Sequence, residues 1–202
     1  DDTPYGLTDC PVYTDCNGTE FGSAQYDCNG VCGGMSVTGD LNFDTYLDIS
    51  DMQQYALDII ADDWNTSPCN DLHMDGEITV SDISLVVNCV ENSEQLTRDN
   101  QSTPCEFGME ITNPNDTVTL SIGQINVEEG YVDVYILNPN NEVLGYQFTM
   151  GNIMITSVEN LVYDYLIEPV FSSGNSMILG ISYDNSLIIK NYEPAPLCRV
   201  YF

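Results

Sequence analysis

The sequence predicts a mainly β chain with a small α module: a two-sheet sandwich at the C-terminal end, preceded by two acidic loops that each lead into a helix. Three observations carry this expectation. From residue 105 onward apolar residues alternate with polar ones in short runs separated by turns. Between residues 39 and 91 an acidic loop followed by an apolar stripe occurs twice. The first 35 residues have neither period and are rich in Cys, Gly, Asp and Tyr.

The C-terminal runs are explicit. Val132, Val134 and Ile136 alternate with Asp133 and Tyr135, and Tyr146, Phe148 and Met150 alternate with Gln147 and Thr149. Further strands are expected at Val118 to Ile122, Ile153 to Val158, Met177 to Tyr183, Ser186 to Ile189 and Arg199 to Phe202. Clusters such as Asn138-Pro139-Asn140-Asn141 and Glu193-Pro194-Ala195-Pro196 separate them, as turns require. Residues 92 to 104 are polar and read as a linker, so the expected units are 1–35, 36–91 and 105–202.

Charge limits the partners. Lys and Arg number 3 against 32 Asp and Glu, giving a net charge of −29. Phosphate-rich surfaces are repelled, which excludes nucleic acid and anionic membranes. No apolar run approaches the roughly 20 residues of a membrane-spanning helix. The start at Asp1-Asp2-Thr3-Pro4 reads as a mature N-terminus.

The 8 cysteines are Cys10, Cys16, Cys28, Cys32, Cys69, Cys89, Cys105 and Cys198. There is no CxxC and a single histidine, His73, so disulfides are favoured over thiolate metal sites. That places the chain in an oxidising compartment, secreted or at a cell surface. Sequons at Asn17, Asn65, Asn100 and Asn115 agree. Cys69 with Cys89, Cys105 with Cys198, and pairing within the first four are the expected bridges.

The first acidic loop runs from Asp40 to Asp51. Asp40, Asn42, Asp44, Asp48 and Asp51 fill its first, third, fifth, ninth and twelfth places, and the Tyr46 carbonyl its seventh. Asp71, His73, Asp75, Glu77, Thr79 and Asp82 repeat the spacing. Hard oxygen donors at these intervals let one loop wrap a calcium ion, so two calcium sites are expected. Four carboxylates held about 5 Å apart in water repel by roughly 0.8 kcal/mol per pair, so metal binding is expected to couple to folding. Leu47 and Ile78 give each loop an inward apolar residue. The helices that follow present Met52, Tyr55, Ala56, Ile59 and Ile60, then Ile83, Val86, Val87 and Val90.

This double motif resembles a dockerin, in which the last acidic ligand comes from the first turn of the following helix. The resemblance covers residues 39 to 91. It implies a calcium-folded plug whose partner is chosen by the residues just before that ligand, here Ile49 and Ser50, Val80 and Ser81. Two positions depart from the pattern. Thr45 stands where glycine usually permits positive φ, which predicts strain in the first loop. His73 stands in a ligand place that imidazole fills poorly for calcium, leaving water or a transition metal as the alternatives.

The run Val132 to Val158, with Val143-Leu144-Gly145-Tyr146-Gln147-Phe148 at its centre, resembles a cohesin, an immunoglobulin-like β-sandwich that receives dockerins. Gly180-Ile181-Ser182 and Leu197 to Phe202 fit the same pattern. Cohesins continue past the strand matching Leu197 to Phe202, whereas this chain stops. An unpaired edge and an open groove are therefore expected, for another chain to fill by strand addition, with the N-terminal segment as candidate donor. The alternatives are that the domain closes its own edge or that Cys105 and Cys198 staple it.

A plug and a socket on one chain predict heterologous contacts and a self-associating fibre or scaffold subunit, a homopolymer. The runner-up is an adaptor binding foreign cohesin- or dockerin-type proteins. A carbohydrate-binding sandwich using Tyr163, Tyr165 or Trp64 is a third reading. An enzyme is not expected, because the acids are committed to the loops and no catalytic set surrounds His73.

Overall fold

The computed structural model describes residues 13–62, 67–92, 117–165, 167–184 and 186–202. The chain is mainly β, with two antiparallel sheets and two helices. Helices α1 (Ile49–Ala61) and α2 (Val80–Asn92) follow the two acidic loops. The strands are β1 (Thr119–Asn126), β2 (Tyr131–Leu137), β3 (Gly145–Thr149), β4 (Ser157–Asn160), β5 (Val170–Ser172), β6 (Met177–Ile181) and β7 (Ala195–Tyr201). One sheet has the order β1-β2-β7-β4 and the other β3-β6-β5.

The strand alternation sorts side chains between these layers. On β2, Val132, Val134 and Ile136 point inward and are buried with Leu197, Cys198 and Val200 of β7. On β6, Ile178 joins that inter-sheet core, while Leu179 and Ile181 point the other way. There they meet Met52, Tyr55, Ile59, Ile83, Val86 and Val87 of the helices. The helix pair therefore forms a third layer on the outer face of the β3-β6-β5 sheet. Burying each such aliphatic side chain contributes roughly 1.5–3 kcal/mol.

Several expected elements differ. Ser186 to Ile189 forms no strand, and only Ile188 makes an isolated bridge, to Val143. The strand expected over Ile153 to Val158 is confined to Ser157–Asn160, and β5 was not anticipated. Tyr165, offered above as a sugar-binding surface residue, is fully buried, and its hydroxyl donates to the Leu144 carbonyl. Tyr163 is exposed, and Trp64 lies outside the described residues.

The disulfides agree with the expected pairing within the first four cysteines at Cys16–Cys32 and correct the rest. Cys16 bonds Cys32, and Cys28 bonds Cys69, so Cys69 is not joined to Cys89. Cys89 is also disulfide-bonded, and Cys10 and Cys105 lie outside the described residues. Cys198 is a free thiol. It points into the inter-sheet core from β7, where burial pushes its pKa up to about 12. The two bridges fit an oxidising environment. No helix of the described residues is long and apolar enough to cross a membrane.

The N-terminal segment is a ladder of two similar turns, twelve residues apart. Asp15 Oδ1 accepts the Asn17 and Thr19 amides at 3.0 and 2.8 Å, and Asp27 Oδ1 accepts those of Asn29 and Val31 at the same distances. The second oxygen of each carboxylate reaches the next turn, at Ala24 and Ser36. Glycine is required beneath them. A Cβ on Gly22 would lie 2.0 Å from Asp15 Oδ2, and one on Gly34 2.1 Å from Asp27 Oδ2. Asp-Cys-Asn-Gly at 15–18 and again at 27–30 is the sequence signal for this repeat.

Two outcomes are expected. A Cβ at Gly180 would meet the Tyr146 ring at 2.3 Å. Gly180→Ala should therefore destabilise the sandwich by about 1–3 kcal/mol, read as a lower midpoint in denaturant. The amides of Thr19 and Val31 hold the Asp15 and Asp27 carboxyls below the usual carboxylate range. A depressed folded value gives stability that is present above the unfolded pKa, near 3.9, and is lost as pH falls through the folded one. Hydrogen exchange at Thr19 and Val31 should accelerate below about pH 4 relative to its intrinsic rate, while β2 and β7 remain protected.

Candidate functional site

The two acidic loops have the same internal wiring. In the first, Asp40 Oδ1 and Oδ2 accept the amides of Asp44 and Thr45 at 3.2 and 2.8 Å. In the second, Asp71 accepts those of Asp75 and Gly76 at 3.2 and 2.9 Å. The fifth-place carboxylates, Asp44 and Asp75, accept from Tyr46 and Glu77 at 2.8 and 2.9 Å. The twelfth-place carboxylates close each loop. Asp51 accepts from Leu41, Asn42 and Asp48 at 2.9, 3.3 and 2.9 Å. Asp82 accepts from His73 and Thr79 at 2.9 and 2.8 Å.

Backbone conformation matches as well. The fourth and sixth places are left-handed in both loops: Phe43 and Thr45 at φ 60° and 72°, Met74 and Gly76 at φ 56° and 90°. Thr45 therefore occupies a conformation that a β-branched residue adopts only under strain. The ninth-place side chains also cap the helices. Asp48 Oδ1 accepts the Ser50 amide at 2.7 Å, and Thr79 Oγ1 accepts that of Ser81 at 3.2 Å. Spacing alone assigned these two residues to a ligand place and missed the capping.

Electrostatics are concentrated at the loop closures. Asp51 and Asp82 are 0 % exposed and Asp40 is 3 % exposed, so three carboxylates of the loops are buried. Burial pushes the Asp51 and Asp82 carboxyls up, against the pull of the amides they accept. His73 turns its Nδ1 to Asp75 Oδ2 at 2.9 Å, which holds the Asp75 carboxyl below its ordinary value. Asn42 Oδ1, in the equivalent place of the first loop, accepts the Asp44 amide at 2.9 Å. Among the described residues, no three His, Cys, Asp or Glu side chains converge on a common point as an ion cage. The carboxylates lie along the loops' own amides.

The residues implied to choose a partner divide. Ile49 is half-exposed at the start of α1, and Ser50 is exposed. Val80 faces this chain's own β3. Its amide donates to Gln147 Oε1 at 3.0 Å, and its Cγ2 fills the space above Gly145, 2.7 Å from where a Cβ would stand. Ser81 sits half-buried in the same turn. Asn17 is exposed, whereas Asn65, Asn100 and Asn115 lie outside the described residues.

No family model matches the chain, and neither a curated protein nor a solved structure is significantly similar to it.

Thr45→Gly should stabilise the fold by about 0.5–1 kcal/mol, the difference between the relieved left-handed strain and the added freedom of the unfolded chain. Equilibrium denaturation measures it. A loss of stability would mean that the Thr45 side chain contributes more than its backbone strain costs.

Proposed function

We propose that the chain is an extracellular, calcium-dependent structural protein that associates with copies of itself by strand addition. The observation that carries this reading is the uncovered inner face of β1. Leu120, Ile122 and Ile125 pair directly with Ile136, Val134 and Val132, so they share the face that is buried on β2. Yet they are 37 %, 56 % and 59 % exposed. The cause is geometric. Four strands lie over three, with β5 against β4, so nothing described stands opposite β1. Both β1 and β3 are unpaired on their outer edges among the described residues. A strand added beside β3 would gain main-chain hydrogen bonds and cover the three apolar residues.

The loops support a calcium role through their donor chemistry. The residues that would hold the ions are Asp40, Asn42, Asp44, the Tyr46 carbonyl and Asp51, and in the second loop Asp71, Asp75, the Glu77 carbonyl and Asp82. Asp48 and Thr79, in the ninth places, would act through water. His73, committed to Asp75, leaves its place to water. Bound calcium supplies the positive charge that the buried Asp40, Asp51 and Asp82 otherwise lack. The resemblance of residues 39 to 91 to a dockerin and of the sandwich to a cohesin supports the same reading. The adaptor reading is less favoured, because the helix pair covers the outer face of this chain's own β3-β6-β5 sheet, the face a foreign plug would use if it docked in the same way.

Electron microscopy of the purified chain tests the proposal. Fibres are expected with calcium, and fraying or monomers after chelation. Ile122→Lys should keep the monomer's circular dichroism and melting point, since the side chain is already exposed, and should abolish fibres. Uniform monomers of the wild type with and without calcium would sink the reading.

A further inference from the structure

A chain of net charge −29 that associates with itself must overcome its own repulsion. Its cations are few. Arg199 is spent on Asp133, with Nε at 2.7 Å and a second nitrogen at 3.1 Å, and lies over the Tyr131 ring. Arg98 lies outside the described residues. Lys190 is exposed and, among the described residues, forms no ion pair.

Lys190 stands on a tip whose backbone is held by buried and half-buried side-chain hydrogen bonds. Asn138, 1 % exposed, donates from Nδ2 to the Ile189 carbonyl at 3.0 Å. Asn191 donates to Asn138 Oδ1 at 3.1 Å and to the same Ile189 carbonyl at 3.0 Å. Either side of the cation, Ile189 and Tyr192 are 62 % and 79 % exposed. Anchoring the backbone of an apolar–cationic–apolar tip from below lowers the backbone entropy it has left to lose on binding.

The complementary surface lies between α1 and the second sheet. A cleft of about 350 Å³, open on one side, has a floor of Ile49, Val170, Leu179 and Ile181 and carries Glu168 and Asp184. Asp184 is fixed as an anion. The hydroxyl of Ser182 donates to it at 2.7 Å and the Ser186 amide at 3.1 Å, which holds its carboxyl below the usual range. An apolar floor beside two carboxylates suits a hydrophobic cation.

We propose that the Ile189–Tyr192 tip of one copy seats in this cleft on a second copy, with Lys190 between Glu168 and Asp184. The inference rests on the self-association reading and gives it a second contact, distinct from the β1 and β3 edges. Tip and cleft are different surfaces, so the contact is heterologous and propagates.

Sedimentation velocity in calcium, with microscopy of the same samples, tests it on the full chain. Lys190→Glu should raise the concentration needed for assembly at least tenfold while leaving the monomer's circular dichroism unchanged. Glu168→Lys should do the same without touching the Ser182 and Ser186 bonds. Combining Lys190→Glu with Glu168→Lys should restore assembly toward the wild type. Carbodiimide cross-linking of mixed isotope-labelled and unlabelled copies should join Lys190 to Glu168 or Asp184 between copies. Wild-type assembly by Lys190→Glu, or no rescue by the pair, overturns the cleft contact and leaves strand addition standing. Cross-links confined within one copy overturn it as well, since the tip would then occupy its own cleft. A wild type that stays monomeric overturns both readings.

Discussion

Strand β6 is buried on both faces, and the arrangement of the rest follows from that constraint. Ile178 and Gly180 face the four-stranded sheet, and Leu179 and Ile181 face the helices. An inner strand of an ordinary two-layer sandwich would bury one face and leave the other polar. Here apolar residues fall on both, so the helix pair must stay seated for Leu179 and Ile181 to remain dry. The Val80 amide on Gln147 and the Val80 side chain over Gly145 fix where it sits. What began as two sequence units is packed as consecutive layers.

The acidic loops obey a second constraint. Their carboxylates are satisfied by the loops' own amides, in the same order twice over. This explains how so acidic a segment holds a defined backbone, and why the twelfth-place aspartates tolerate burial. It also explains the cost at Thr45, since the sixth place must turn left-handed for its amide to reach Asp40. Glycine meets that demand freely in the second loop, and threonine meets it under strain in the first.

Much of this was legible in the residues, because local rules dominate there. The loop register, the apolar stripes of α1 and α2 and the alternation on β2 and β3 are all short-range patterns. The strain at Thr45 followed from one position in one register. What escaped notice depends on tertiary placement. Nothing local distinguishes Tyr165, which packs in the core, from Tyr163, which faces solvent. Nothing local shows that Val80 packs against residues more than sixty positions away. The Cys16–Cys32 bridge fell within the expected first four, but the longer one escaped for the same reason: Cys28 and Cys69 meet across 41 residues, and Cys198 sits in the core where a bridging partner was expected. The ladder was missed differently, for its twelve-residue repeat lay in plain view in Asp-Cys-Asn-Gly.

That ladder also determines how the molecule would carry load. The Cys16–Cys32 bond spans the two turns, and the Cys28–Cys69 bond leads from the second turn to the base of the second loop. Tension applied near residue 13 therefore has a covalent route that bypasses residues 33–68, including the first loop and α1. It enters at the segment leading to Asp71, just before α2 and the sheet beneath it. The strained first loop stands outside the line of force, where it can open and re-form without lengthening the chain under tension.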